Sequence, residues 1–150
     1  MLSRFANAFF PQSQGPPADR AVRLSLATCV ILLEAARADD VVTQDERIHI
    51  LDVMRIRFSL GADEAEELVQ EAHNVREQSS DLWKFTRAIN EGYSPQEKIE
   101  IVEEVWRILL SDDDLHGLED HLAHKLQTLL NLNHPQLIEA KMRVLEERRA

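Results

Sequence analysis

The sequence predicts an all-α fold: a single compact domain of about seven helices with an internal pseudo-twofold repeat. Three observations carry that expectation. No proline interrupts the chain between Pro17 and Pro95, and the span holds few of the period-two alternations that mark strands. Two helix starts are legible as capping boxes, Thr43-Gln-Asp-Glu46 and Ser94-Pro95-Gln96-Glu97, where a hydroxyl serves an orphan amide and a glutamate reaches back. Finally, one stretch occurs twice, as Ala38 to Glu46 and as Ser111 to Glu119. Asp39 corresponds to Asp112, Asp40 to Asp113, Val42 to Leu115 and Glu46 to Glu119, all at one offset of 73 positions.

The elements follow in chain order. Residues 1–17 form an N-terminal amphipathic segment and a Pro/Gly linker, and residues 18–150 form the helical domain. In the segment, Leu2, Phe5 and Phe9 fall at helical spacing, with Ala6 and Phe10 beside them. Docking on its own domain or fraying is the plain expectation, and docking on a partner or a peripheral membrane contact through residues 1–10 are the alternatives. Pro11 to Pro17 holds three prolines and a glycine, which deny it helix and ladder alike. The first helix, Asp19 to Ala38, has twelve apolar residues among the sixteen from Ala21 to Ala36, which marks it as central to the core.

A second helix starts at the Thr43 cap, presents Ile50, Met54, Ile56 and Phe58 inward, and ends near Ser59 to Gly61. The third, Ala62 to Gln78, is acid-rich at its start and offers Leu68, Val69, Ala72 and Val75. Ser79-Ser80-Asp81 caps a fourth that carries Leu82, Phe85 and Ile89, with Trp83 nearby, and closes at Gly92. The fifth buries Ile99, Val102, Trp106, Leu109 and Leu110. A sixth, Leu118 to Asn131, turns Leu122, Leu126, Leu129 and Leu130 inward. The seventh starts at Asn133-His134-Pro135 with a stripe of Leu137, Ile138, Met142 and Leu145. With a one-residue slip, Ile50, Met54, Phe58 and Leu60 match Leu122, Leu126, Leu130 and Leu132, so the repeat extends into the helices.

Composition narrows the function. Twenty-seven acidic against 17 basic residues give a net charge of -10, which repels nucleic-acid phosphates and anionic lipid and favours cations or basic protein surfaces. No nucleic-acid partner is expected. The lone cysteine, Cys29, lies in an apolar run and cannot form an internal disulfide, which points to a reducing cytoplasm and an inert thiol. The run from Leu24 to Leu33 is far too short to span a bilayer.

The paired acidic turns are the candidate site. Clustered carboxylates on a helix-to-helix turn suit a hard divalent cation such as Ca or Mg. Asp112-Asp-Asp114-Leu-His116-Gly117 matches the first half of an EF-hand loop but fails at its fifth position, His116, and at its twelfth, Ala123. The expected arrangement is instead two elbows pooling Asp39, Asp40, Glu46, Asp112, Asp113 and Glu119. The other reading is that these acids stabilise turns and complement helix dipoles. A rival zinc set of His116, His121 and His124 has no HExxH pattern. Glu46-x-x-His49 has the spacing of di-iron bundles without a second copy. Serine nucleophile motifs and glycine-rich phosphate loops are absent from the sequence. No catalytic constellation is complete, so a metal-dependent enzyme built on the carboxylates and histidines is the alternative to a non-catalytic module.

The chain resembles a known family in Leu32-Leu-Glu-Ala-Ala-Arg-Ala-Asp39-Asp40, in Glu46-Arg47, and in Phe85-Thr-Arg-Ala-Ile-Asn-Glu91. Glu103-x-x-Trp106-Arg107 before Ser111-Asp112, and the stretch Asn133-His134 to Lys141, continue the likeness. In order and spacing these resemble the TerB-like tellurite-resistance family, from about Ala18 to Arg143. The resemblance implies an all-helical, pseudo-symmetric domain with acidic residues for a divalent cation. It also implies protein partners in bacterial stress-response or membrane-linked complexes, and no established enzymatic activity. Asp40 and Asp113 stand where the family has glycine. Thr43 and His116 stand where it has an acid, so either the ligand set shifts by one residue or the ion is lost.

Overall fold

The computed structural model of the chain describes residues 20–37, 42–79, 81–110 and 117–149; for residue 20 and residues 117–120 it describes the backbone alone. Among the described residues there are seven helices and no strand: α1 (Arg20–Ala36), α2 (Gln44–Phe58), α3 (Ala62–Glu77), α4 (Trp83–Gly92), α5 (Pro95–Leu109), α6 (Gly117–Leu129) and α7 (His134–Arg149). The expected all-α architecture is what the chain adopts.

α1 is the axle. Apolar on nearly every side, it packs against α2, α3, α4 and α5, and Leu26, Ala27, Val30, Ile31 and Leu32 are sealed from solvent. Burying each of the larger aliphatic chains contributes about 1.5–3 kcal/mol. Two polar groups fit this interior because they find local acceptors: Ser25 donates to the Val22 carbonyl at 2.8 Å, and Thr28 to the Leu24 carbonyl at 2.7 Å. Cys29 is buried there too, and burial pushes its thiol above the usual range.

The repeat is visible in the packing. α1, α2 and α3 touch one another pairwise, as do α5, α6 and α7; α1 and α5 join the two units, and α4 bridges α1 to α6. It is visible again in the helix ends. α2 stops at Ser59 in the left-handed region (φ 55°), and α6 at Asn131 (φ 58°). The next amide reaches back five residues in each case, Leu60 to the Arg55 carbonyl and Leu132 to the Gln127 carbonyl, both at 3.0 Å. This is the bond that closes a Schellman cap. α3 and α7 then start alike. Gly61 N–H donates to Glu64 Oε1 at 3.1 Å and Asn133 N–H to Gln136 Oε1 at 2.9 Å, while the Asn133 side chain accepts from Gln136 N–H at 2.8 Å. These pairs are one position closer in sequence than the elbows are, which is the slip the apolar pattern required.

Each unit is also pinned outside by a bidentate ion pair between its first and third helices. Glu34 of α1 takes Arg76 of α3 at 2.9 and 3.1 Å, and Arg107 of α5 takes Glu147 of α7 at 3.0 and 2.7 Å. Glu34 and Arg107 correspond in the repeat, so the anchor position is kept while its sign is exchanged.

Several inward faces differ from the sequence expectation. Ile56 is 82% exposed, and the α2 core face reduces to Ile50 and Met54 with Phe58 half-buried. α7 buries Leu137, Ala140 and Val144 and leaves Ile138 and Met142 exposed, because the small Ala140 lets α7 close on α5. α5 buries Ile101, Val105 and Ile108 in addition to the expected set, and Ile99 is half-buried. Packed on α1, α6 and α7 together, it needs more than one apolar stripe. Trp83 faces outward, with Arg87 over its ring at 5.2 Å. The N-terminal segment and linker lie outside the described residues.

Candidate functional site

The first elbow follows α1 and leads into α2, and the second follows α5 and leads into α6. Of the six expected ligands, Asp39, Asp40, Asp112 and Asp113 lie outside the described residues, and Glu119 lies in the first turn of α6 where only the backbone is described. Glu46 is placed. Its Oε1 accepts the Thr43 amide at 2.9 Å while its own amide donates to Thr43 Oγ1 at 3.1 Å, a complete capping box. The cap engages Oε1 and orients the carboxylate in the first turn of α2.

The pairing of α2 with α5 was not visible in sequence. His49 Nε2, in the second turn of α2, is 3.5 Å from Glu104 Oε2 of α5, and Arg57 Nη2, nearer the end of α2, is 3.7 Å from Glu100 Oε1. As α2 advances, its partners on α5 recede, so the two helices run antiparallel along this stretch. The first turn of α2 and the last turn of α5 therefore point to the same end of the molecule. Each opens onto an elbow.

Glu104 anchors a charge ladder across this end. It pairs closely with Arg107, which also reaches Glu103 at 3.7 Å and Glu147 at 2.7 Å. Arg143 of α7 extends the ladder to Glu103 at 3.0 Å and Glu139 at 2.7 Å. Burial works to raise the Glu104 carboxyl, but His49 and Arg107 outweigh it and hold the group below the usual carboxylate range. Arg107 is held more firmly protonated by Glu147, Glu104 and Glu103. The sequence signal was there: Glu100, Glu103 and Glu104 share one face of an otherwise apolar helix, with Arg107 a turn further on.

A polar pocket of about 490 Å³ adjoins the end of α1, lined by Glu34, Arg37, Arg76, Glu77 and Ser79. Arg76 is already engaged there by Glu34 and by the Ser79 carbonyl at 3.0 Å. Nearby His73 is held below the usual imidazole range by burial first and then by Arg37 and Arg47, with Glu77 acting against them. The rival histidine set does not converge among the described residues. His121 and His124 are exposed, and the His124 ring stacks on His134 at 5.6 Å. His116 lies outside the described residues. No group of three or more His, Cys, Asp or Glu poised for a metal occurs among the described residues, and none of their helices is long and apolar enough to cross a membrane.

The fold thus defines a class: an all-helical, pseudo-symmetric domain in which two equivalent helices are each followed in sequence by an aspartate-rich stretch. The chain belongs to the TerB family, since the family described as Tellurite resistance protein TerB matches residues 25–142. No curated protein and no solved structure matches the chain.

Proposed function

We propose that this protein is a non-catalytic helical module of a bacterial, cytoplasmic stress response, acting through protein contacts and binding a divalent cation, Ca or Mg, at its paired acidic turns. The ligands would come from Asp39, Asp40, Glu46, Asp112, Asp113 and Glu119, with Glu46 offering the carboxylate oxygen its cap does not use. One observation carries the reading: the antiparallel run of α2 along α5, which turns the helix after the first elbow and the helix before the second toward one end. Oxygen donors from two turns at one end suit a hard cation. The net charge of -10 draws cations to the same surface, and the family's tellurite-resistance description supports the stress-response setting.

Calorimetric titration of the purified protein with Ca and with Mg tests the site. Binding should appear in the wild-type chain and vanish in the Asp39→Asn, Asp112→Asn double variant. Binding that survives the double change rejects the ligand set, and no binding at physiological cation levels favours a scaffold without an ion.

A further inference from the structure

Among the described residues α4 has no counterpart, yet the repeat provides a place for one. α4 rests on α1 of one unit and α6 of the other. Gly92 packs against Leu24, Tyr93 hydroxyl lies 3.2 Å from Thr28 Oγ1, and the Asn90 side chain donates to the Leu129 carbonyl at 2.9 Å. Exchanging the units carries α1 to α5 and α6 to α2, so the equivalent seat lies between α5 and α2. A groove of about 350 Å³ is found there, lined by Val53, Ile56 and Arg57 of α2 and Glu100 and Glu104 of α5. Ile56, the most exposed large aliphatic side chain described, lines this groove, and its neighbour Arg57 corresponds to Leu129 at the offset of 72 that relates α2 to α6.

The sequence supplies the occupant. Residues 2–9, Leu-Ser-Arg-Phe-Ala-Asn-Ala-Phe, align with residues 82–89, Leu-Trp-Lys-Phe-Thr-Arg-Ala-Ile. Leu, Phe and Ala coincide at three positions, Arg4 stands for Lys84 and Phe9 for Ile89. The residues that α4 and its entry bury, Leu82, Phe85, Thr86 and Ile89, correspond to Leu2, Phe5, Ala6 and Phe9. The offset here is 80 positions against 73 for the elbows, and the difference of seven is the length of Pro11 to Pro17. Each segment also precedes the first helix of its unit in sequence, the one before α5 and the other, across residues 11–19, before α1.

We infer that residues 2–10 are the missing counterpart of α4 and dock, in the same chain, into the groove between α2 and α5. The repeating unit is then four helices. Reach is ample, because residues 11–19 span up to roughly 30 Å when extended. α1 begins one turn before Leu24, and Tyr93, whose hydroxyl feels Arg57 at the groove, contacts Thr28 of the same helix.

The Asn90 to Leu129 contact translates to Phe10 at the stretch of α2 that holds Arg57 and its neighbour Ile56, both on the groove, which gives a direct test in the full-length chain. Phe10→Cys with Ile56→Cys, oxidised at low protein concentration, should give an intrachain disulfide, with the buried Cys29 taking no part. A control pair of Phe10→Cys with Met142→Cys on α7 should not. Independently, Phe5→Ser with Phe9→Ser should shift the Ile56 and Val53 methyl resonances and leave the Ile138 methyl in place. No disulfide, a disulfide only between chains, or equal yields from both pairs would overturn the inference, as would unmoved groove methyls. Titration with vesicles of phosphatidylserine and phosphatidylcholine supplies the last arm. The wild-type groove signals should hold, whereas the spectrum of the Phe5→Ser, Phe9→Ser variant appearing as vesicles bind would mean that the segment prefers lipid, and would also overturn it.

Discussion

At the scale of single residues, Lys98 shows how a charge can be made part of a core. Its ammonium is buried against the Leu130 carbonyl at 2.8 Å and Asn90 Oδ1 at 3.2 Å, while Asn90 itself takes the Leu129 carbonyl. The two side chains thereby serve orphan carbonyls at the end of α6 and favour its negative dipole end. Lys98→Met keeps the stem and removes the donor, so it should cost about 2 kcal/mol of unfolding free energy in urea, the scale of a hydrogen bond to a charged group. A loss near zero would show that water replaces the ammonium. His73 gives the protein a pH dependence of known sign. Its folded pKa is depressed, so its contribution is fully present above the unfolded value, about 6.5, and is lost as pH falls through the folded one. Stability should therefore decline between neutral and mildly acidic pH, and His73→Gln should flatten that part of the curve in urea melts. Glu104, also depressed, adds a loss of the same sign at lower pH.

Among the elements, the ends of the helices were the most legible part of the fold. Thr43 with Glu46 and Ser94 with Glu97 form the boxes their spacing announced, and Asp81 Oδ1 accepts the Trp83 amide at 2.9 Å where a cap for α4 was expected. Apolar faces were less legible. Periodicity places residues on a helix but does not say which of two apolar faces meets the neighbour, so Ile138 and Met142 competed with Ala140 and Val144 on α7 and lost. The antiparallel contact of α2 with α5 depends on residues some fifty positions apart, such as His49 and Glu104, and no local pattern announces it. For the elbows, the repetition could be read directly, whereas the helix packing that sets where its two copies lie is a tertiary property. The paired stops of α2 and α6 permit a test of their own. Ser59 holds a left-handed conformation that costs an L-residue with a side chain about 1–2 kcal/mol, so Ser59→Gly should raise the urea midpoint. Asn131→Gly should gain less, since asparagine tolerates that region better. A fall in either midpoint would mean that the side chain, rather than the backbone, governs the stop.

For the whole molecule, the shared central helix decides how the two units behave. α1 is core to the first unit and touches both α5 of the second and the bridging α4, so neither unit has a complete interior alone. Unfolding should be a single event. Fluorescence from Trp106, buried in the second unit with its Nε1 donating to the Leu137 carbonyl at 3.1 Å, should change together with far-ultraviolet helicity across a urea series. Separate midpoints would mean that the halves come apart independently. The same burial leaves the chain with one sulfhydryl, that of Cys29, sealed on all sides within α1. An alkylating reagent can reach it only when the axle is laid bare, so the rate of its modification becomes a built-in clock for the rarest excursions of the native ensemble. Agreement between that clock and the free energy from denaturant would mean that the innermost helix is released only when everything else is.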